Sequence, residues 1–585
     1  MSIQTPEESF AMPSTDVLSI PRVLVDLDRL YQPADADSEV GRYMSASGGE
    51  HFSLASFGRD TEYAVLFNLH TALLNHERKL QPTDDEMIKH SFEIMVMYQG
   101  SRSSDKSEEG LRNSEEPGKI HHEARWLSKQ ARETGRLTPA DVLMKQLIIE
   151  RNNPDDDPET MISYDSVDST PLFVRAVGDY GKVVGGEKLR QLFDAKVHNY
   201  RGETLSIGEG FLRAMDWSEA KLRQSKRGYI EYYRLPGQES AIENQVWQDS
   251  ITSNVHDNAE HRDGKLANVL EPIAAIEEQA LGYDAWVVAI ELFEDNPDLA
   301  ISYGITADKI ESWRTIAEDL RQRIFKDFWL EDEQRFAQAL DYDPNTHQTR
   351  KITTPTSNPF MLLNTSIFDG LSEDEREKYI APMVEQIFSR EFLTDVGIRC
   401  RAASRAGLID FVDYHGSWAV WGWITHFIAN GVRRHGIEEP ADELDKRVLN
   451  SVNRSGGNFE FFLADPKTNE VHYRYKKKSD SNGDESARVL VATNIPDEPQ
   501  AWEAYAVQDI KRIRRDAKMW PSGPKELPGW VRILEAKIRR QIGNFDLKHT
   551  ANMATAIIDI DAGKQADQRY HDIADQQPLY PHAPL

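Results

Sequence analysis

Apolar residues recur at three- and four-residue spacing along most of this chain, and that periodicity limits its fold more than any other feature. Segments Glu62–Glu77, Ile120–Glu133, Gly208–Arg223, Lys265–Glu294, Ala307–Phe328, Glu373–Phe388 and Trp418–Arg434 carry it, and each predicts a helix. Strand-like alternation is confined to short stretches, Arg335–Asp341 with Gln348–Ile352 and Asn458–Leu463 with Glu470–Tyr475. Each pair flanks a polar turn, DYDPNTH or DPKTN, and reads as a hairpin. Many helices with short connections and no strand–helix alternation argue against a doubly wound sheet or a β/α barrel. No fixed-period repeat marks a solenoid.

The polar runs Ser101–Pro117, Asn152–Glu159 and Lys476–Glu485 look like surface loops inside one helical body. The expected organisation is an N-terminal extension over 1–50, a catalytic barrel over 51–545, and a loosely attached polar tail over 546–585. Net charge is −28, from 97 acidic and 69 basic residues. Such a surface repels phosphate backbones and anionic lipid, so neither nucleic acid nor a membrane is an expected partner. It suits a neutral substrate, and equally a salty habitat. The single cysteine, Cys400, excludes intramolecular disulfides and CxxC-type zinc sites. No basic-then-apolar leader opens the sequence and no run of about 18 apolar residues occurs, so a cytoplasmic globular protein is expected.

Chemistry is signalled where aromatic residues meet acids in loop-like stretches. Sugars present hydroxyls around apolar CH faces, so their sites set aromatic walls beside carboxylate or amide groups. Ser56–Asp60 (SFGRD), Tyr164–Phe173 (YDSVDSTPLF), Asn244–Ser250 (NQVWQDS), Asp413–Trp423 (DYHGSWAVWGW), Asn458–Pro466 (NFEFFLADP) and Pro499–Ala506 (PQAWEAYA) share this make-up. A toroid of helical hairpins, its loops converging at one end, would bring such distant pieces together.

These segments resemble, in order, motifs of the glycogen debranching enzymes (amylo-α-1,6-glucosidases), a family of six-hairpin glycosidases. SFGRDTEYAV resembles the family's WFGRDT, PGKIHHEAR (Pro117–Arg125) its PGKI-x-HE-x-R, YDSVDSTPLFV its SVDATPLF, and NQVWQDS its NQGWKDS, which carries the acid catalyst; TDVGIRC (Thr394–Cys400) and PQAWEAYA also fall in family order. HGSWAVWGW departs from the family's GSVWPHD-like loop, and NFEFFLADPKTNE is closer to the EYYNPETG-type base segment of the α-glucosidase I and mannosylglycerate-hydrolase group. The first motif lies near residue 58, leaving no room for the family's usual β-rich N-terminal domain. The resemblance implies an all-α fold, an (α/α)6 toroid with a few short β-hairpins, hydrolysing an α-glucosidic bond with inversion. A small glucoside or disaccharide, of trehalose or glucosyl- or mannosyl-glycerate type, is the alternative substrate. A non-catalytic carbohydrate-binding barrel and a phosphorolytic relative also stay open.

On that resemblance Asp249 is the general acid, with Trp247 as an apolar wall favouring its protonated form; the ordinary alternative is a helix N-cap. Glu460, among Phe459, Phe461 and Phe462, is the general base, with Asp413 and Asp168 as rivals and an outward-facing strand residue as the ordinary alternative. Arg59 and Asp60 resemble the substrate-holding pair of the family, or else form a buried ion pair opening a helix. Asp168, Gln245 and His415 are secondary contacts; Trp418, Trp421 and Trp502 read as sugar platforms or as core. No cofactor and no metal is expected: His121 and His122 are adjacent, and His256 and His261 lack zincin spacing. The glycines of Gly178–Lys188 form only a feeble phosphate-loop candidate. Sugar identity and oligomeric state stay open.

Overall fold

Local chemistry fixes many helix starts. Ser206 and Glu209, and likewise Ser372 and Glu375, form reciprocal capping boxes, while the Thr306 hydroxyl accepts from the Lys309 amide. The computed structural model describes residues 30–32, 43–47, 55–74, 79–102, 113–153, 156–233, 242, 244–250, 252–257, 269–409, 412–473, 475–477, 490–492, 496–516 and 527–556. Among these, helices dominate and every sheet has two or three strands.

In chain order the principal helices are α1 (Gly58–Leu74), α2 (Pro82–Met97), α3 (Ser169–Val184), α4 (Ile207–Gln224), α5 (Ile276–Asp295) and α6 (Ala307–Phe328). After a 3-10 segment, Asn358–Asn364, come α7 (Glu373–Ile387), α8 (Gly422–Arg434), α9 (Glu438–Ser455), α10 (Ala501–Asp516) and α11 (Gly529–Ala556). The packing order is circular. α1 lies against α3, α3 against α5, α5 against the 3-10 segment, that segment against α8, α8 against α10, and α10 back against α1.

Burial separates these inner segments from their partners. α1 and α5 bury residues all round, whereas α6 buries one stripe, Trp313, Ala317, Leu320, Ile324 and Phe328, against α5. α2, α4, α7 and α9 pack in the same way on α1, α3, the 3-10 segment and α8, and α11 lies across α7 and α9. Close approach inside needs small residues: a Cβ on Gly178 of α3 would sit 1.9 Å from Val288 Cγ1 of α5. The glycines read as a weak phosphate loop are thus partly helix-packing residues.

Two small sheets position the loops that matter. Ala55–Phe57, Glu123–Trp126 and Thr160–Ser163 form an antiparallel ladder whose first strand runs directly into α1. Ala419–Val420, Phe462–Ala464 and Val471–His472 form a second, pairing Ala419 with Leu463.

Three helix expectations need correction. Ile120–Glu133 holds the strand Glu123–Trp126 and a short helix, Lys129–Thr134. Within Lys265–Glu294 the helix starts at Ile276, after Ala274–Ala275 as strand, and 258–268 lie outside the described residues. In Trp418–Arg434 it starts at Gly422. The hairpin at 335–352 pairs Ala339–Asp343 with Gln348–Ile352, while Arg335–Phe336 pairs with Trp329–Leu330. Of the expected extension only 30–32 and 43–47 are described; of the expected tail, 546–556 continue α11 and the rest lies outside the described residues, as do 103–112, 154–155 and 478–485 of the expected loops.

Candidate active site

The first turns of the inner segments face one another. Arg59 and Asp60 open α1, Asp168 precedes α3, Glu277 and Glu278 open α5, and Asn358 opens the 3-10 segment. Trp421 and Gly422 stand at the start of α8, Trp502 and Glu503 at the start of α10. Arg59 Nε donates to Asp168 Oδ2 at 2.6 Å, and Asn358 donates to the Glu277 carboxylate. Trp423 stacks on Trp502 with ring centres 4.5 Å apart, and a Cβ at Gly422 would lie 1.9 Å from Glu503 Oε1. Helix N-termini carry partial positive charge, which is the environment in which clustered carboxylates are tolerated.

Asp249 projects into this cluster from the irregular loop Asn244–Ser250, so it caps no helix. Arg59 Nη1 donates to its Oδ2 at 3.3 Å, and 27 % of its side chain stays exposed, against 3 % for Arg59 and 2 % for Asp168. It is the open carboxyl above a sealed floor. Burial pushes its pKa up to about 6 against the pull of Arg59. Trp247 of the same loop is buried in a ring cluster with His415, Trp421 and Trp423 at 5.4, 6.2 and 5.3 Å.

Glu460 is buried and precedes the strand Phe462–Ala464, so it is no outward-facing strand residue. Its amide donates to the Asp497 carbonyl at 2.9 Å, and the Asp497 amide returns a bond to Glu460 Oε2 at 3.2 Å. The Tyr414 hydroxyl donates to Oε1. Burial pushes Glu460 up to about 8, with the Tyr414 bond acting the other way. Asp60 is likewise raised to about 8, by burial and then by Asp249 and Asp168 against Arg59. The Asp60 charge also bears on Glu460, so one set of groups couples both carboxyls.

The remaining expected residues divide. Arg59 is engaged with Asp168 and Asp249. Asp413 is held by Arg401 at 3.0 Å, both fully buried, and Asp168 by Arg59, so both rivals for the base are occupied. His415 reaches the Asp249 loop: Nδ1 is 2.8 Å from Ser250 Oγ and 3.8 Å from Asp249 Oδ1. Gln245 is buried and ties loops together, its carbonyl accepting from the Val167 amide at 2.8 Å. Trp502 is a buried wall residue, and Trp418 is half-buried with its ring beside His472, on the second sheet. Tyr414, Asp497, Ser250, Glu277 and Asn358 join the site without having been singled out from the sequence.

No known family model matches the chain, and no curated protein does. Among solved structures it is similar to the GH63 mannosylglycerate hydrolase from Thermus thermophilus in complex with glucose, at 12% identity and TM-score 0.47, covering 84% of this chain and 99% of that one. An uncharacterized conserved protein from the same organism gives 13% identity and TM-score 0.47, with coverages of 84% and 99%. The same hydrolase in complex with Tris gives 12%, 0.46, 84% and 98%.

Proposed function

We propose that the chain is a glycoside hydrolase on an (α/α)6 toroid, cleaving an α-glucosidic bond by single displacement with inversion. The circular packing of six inner segments, five of them backed by an outer helix, supports the toroid. Asp249 protonates the departing glycosidic oxygen while Glu460 deprotonates the attacking water. The observation that carries the reading is the pairing of an open carboxyl, Asp249, with a buried one, Glu460, across the adjacent residues Tyr414 and His415. Arg59 is already engaged by Asp168 and Asp249, and Arg401 by Asp413, which favours a neutral substrate.

A second reading exchanges the roles. Without substrate Glu460 titrates at about 8 and Asp249 at about 6, so Glu460 holds the shared proton more firmly. The Tyr414 and Asp497 donors nonetheless both serve the ionised form of Glu460, as a base requires.

The test is hydrolysis of isomaltose, maltose, trehalose and glycogen by wild type, Asp249→Asn and Glu460→Gln. Glucose release by wild type and its loss in both variants, with folding retained, is expected; full activity in either variant removes that residue from its role. Preference between glycogen and the disaccharides decides whether the substrate is a polymer branch or a small glucoside.

A further inference from the structure

Tyr414 and His415 are consecutive on the loop leading into the strand Ala419–Val420, and each turns to a different carboxylate. Tyr414 donates to Glu460, while His415 Nδ1 pairs with Ser250 Oγ at 2.8 Å beside Asp249 Oδ1. Neither ring can turn freely. Trp421 stacks on His415 at 5.1 Å and meets Tyr414 edge-on at 5.0 Å. Phe461 closes on Tyr414 at 5.2 Å and Trp247 on His415 at 5.4 Å. The loop itself is pinned: Asp413 is bound to Arg401, a Cβ at Gly416 would overlap the Asp413 carboxylate, and Ala419 pairs with Leu463 just beyond Glu460.

Resting on the hydrolase reading, we propose that Tyr414 and His415 are paired positioning residues that set the placement of Glu460 and Asp249 from a single loop and govern which of the two holds the proton. Glu460 is faced by Tyr414, Asp497 and Asp60; Tyr414 by Glu460, Asp249 and Asp60; His415 by Asp249, Arg59 and Arg401. Burial and the two guanidinium groups hold His415 well below its usual range, so it acts as a neutral hydrogen-bonding spacer. Burial, then the Glu460 charge, raises the Tyr414 phenol well above its usual value, so it remains a proton-bearing donor. Its bond favours the ionised carboxylate.

Tyr414→Phe removes one oxygen and keeps the ring. Losing a donor to a charged acceptor raises the Glu460 pKa by about one unit. With the fastest of isomaltose, maltose and trehalose as probe, the alkaline limb of kcat/KM moves up by about one pH unit. If Glu460 is the base, its maximum also falls about tenfold, because the productive form with the proton on Asp249 becomes rarer by that factor. With the roles exchanged the limb moves and the maximum holds. Ser250→Ala, which releases His415 Nδ1, lowers kcat about tenfold with KM little changed, and Ser250→Thr restores it. A Tyr414→Phe profile with unmoved limbs overturns the Tyr414 half, as would a uniform loss at all pH values; wild-type kcat in Ser250→Ala overturns the His415 half. Asp249→Asn and Glu460→Gln run in parallel separate the two levels: if they are inactive and the limbs do not move, only the positioning role fails. If they are active, or wild type is inert to every probe, the hydrolase reading fails and the positioning role with it.

Discussion

Replacing His426 should flatten the dependence of stability on pH between 6.5 and 9. His426 is fully buried on α8, its Nδ1 2.7 Å from Asp445 of α9 and its Nε2 3.0 Å from Asp509 of α10. Asp509 also takes His70 at 2.7 Å and Thr71 at 2.6 Å from α1, and Arg433 binds Asp445 at 2.7 Å. The imidazolium therefore sits where the end of the circuit closes on its beginning. Burial lowers its pKa, but the two carboxylates prevail and raise it from 6.5 to about 9. Because the folded pKa exceeds the unfolded one, its stabilisation is complete below 6.5 and is lost as pH rises towards 9. A rise of about 2.5 units at about 1.36 kcal/mol per unit amounts to about 3 kcal/mol. Urea unfolding of wild type and His426→Gln between pH 6 and 9.5, at one ionic strength, measures it. Wild type should lose about 3 kcal/mol more than the variant across that range. Parallel curves would refute the charged-rivet account.

Two further outcomes follow from packing and titration. Gly178→Ala forces a methyl into Val288 at the α3–α5 contact and should destabilise by about 1–3 kcal/mol in urea unfolding. A wild-type midpoint would show that the two helices separate easily. Wild-type kcat/KM should be bell-shaped, falling below about 6, where both Asp249 and Glu460 are protonated, and above about 8, where both are ionised. A profile flat from pH 5 to 9 would remove this pair from the rate-determining chemistry.

Much of the helical framework was legible because the core-facing stripe repeats along the chain; Ala307–Phe328 is observed with the bounds its periodicity predicts. Ile120–Glu133 misled because Ile120, Ala124, Leu127 and Ala131 fall at helical spacing, whereas the strand Glu123–Trp126 alternates charged and apolar residues over only four positions, too few to outweigh that period. The 3-10 segment Asn358–Asn364 is too short to display a period, although it completes the inner circuit. In the site, Asp249 and Glu460 were visible as acids among aromatic residues. Tyr414 was not singled out, because its importance lies in a bond to a residue far along the chain. Glu277 stood in an apolar helical run, where an acid reads as a first-turn residue, and only its contact with Asn358 from another inner segment brings it into the site.

The central claim is the division of labour between Asp249 and Glu460, and fluoride release from α-glucosyl fluoride tests it most directly, since fluoride departs with little need of protonation. Asp249→Asn should lose O-glycoside hydrolysis by roughly 10²–10⁴-fold yet keep substantial fluoride release, while Glu460→Gln should lose both. Fluoride release retained in Glu460→Gln and lost in Asp249→Asn would contradict the assignment and exchange the two roles.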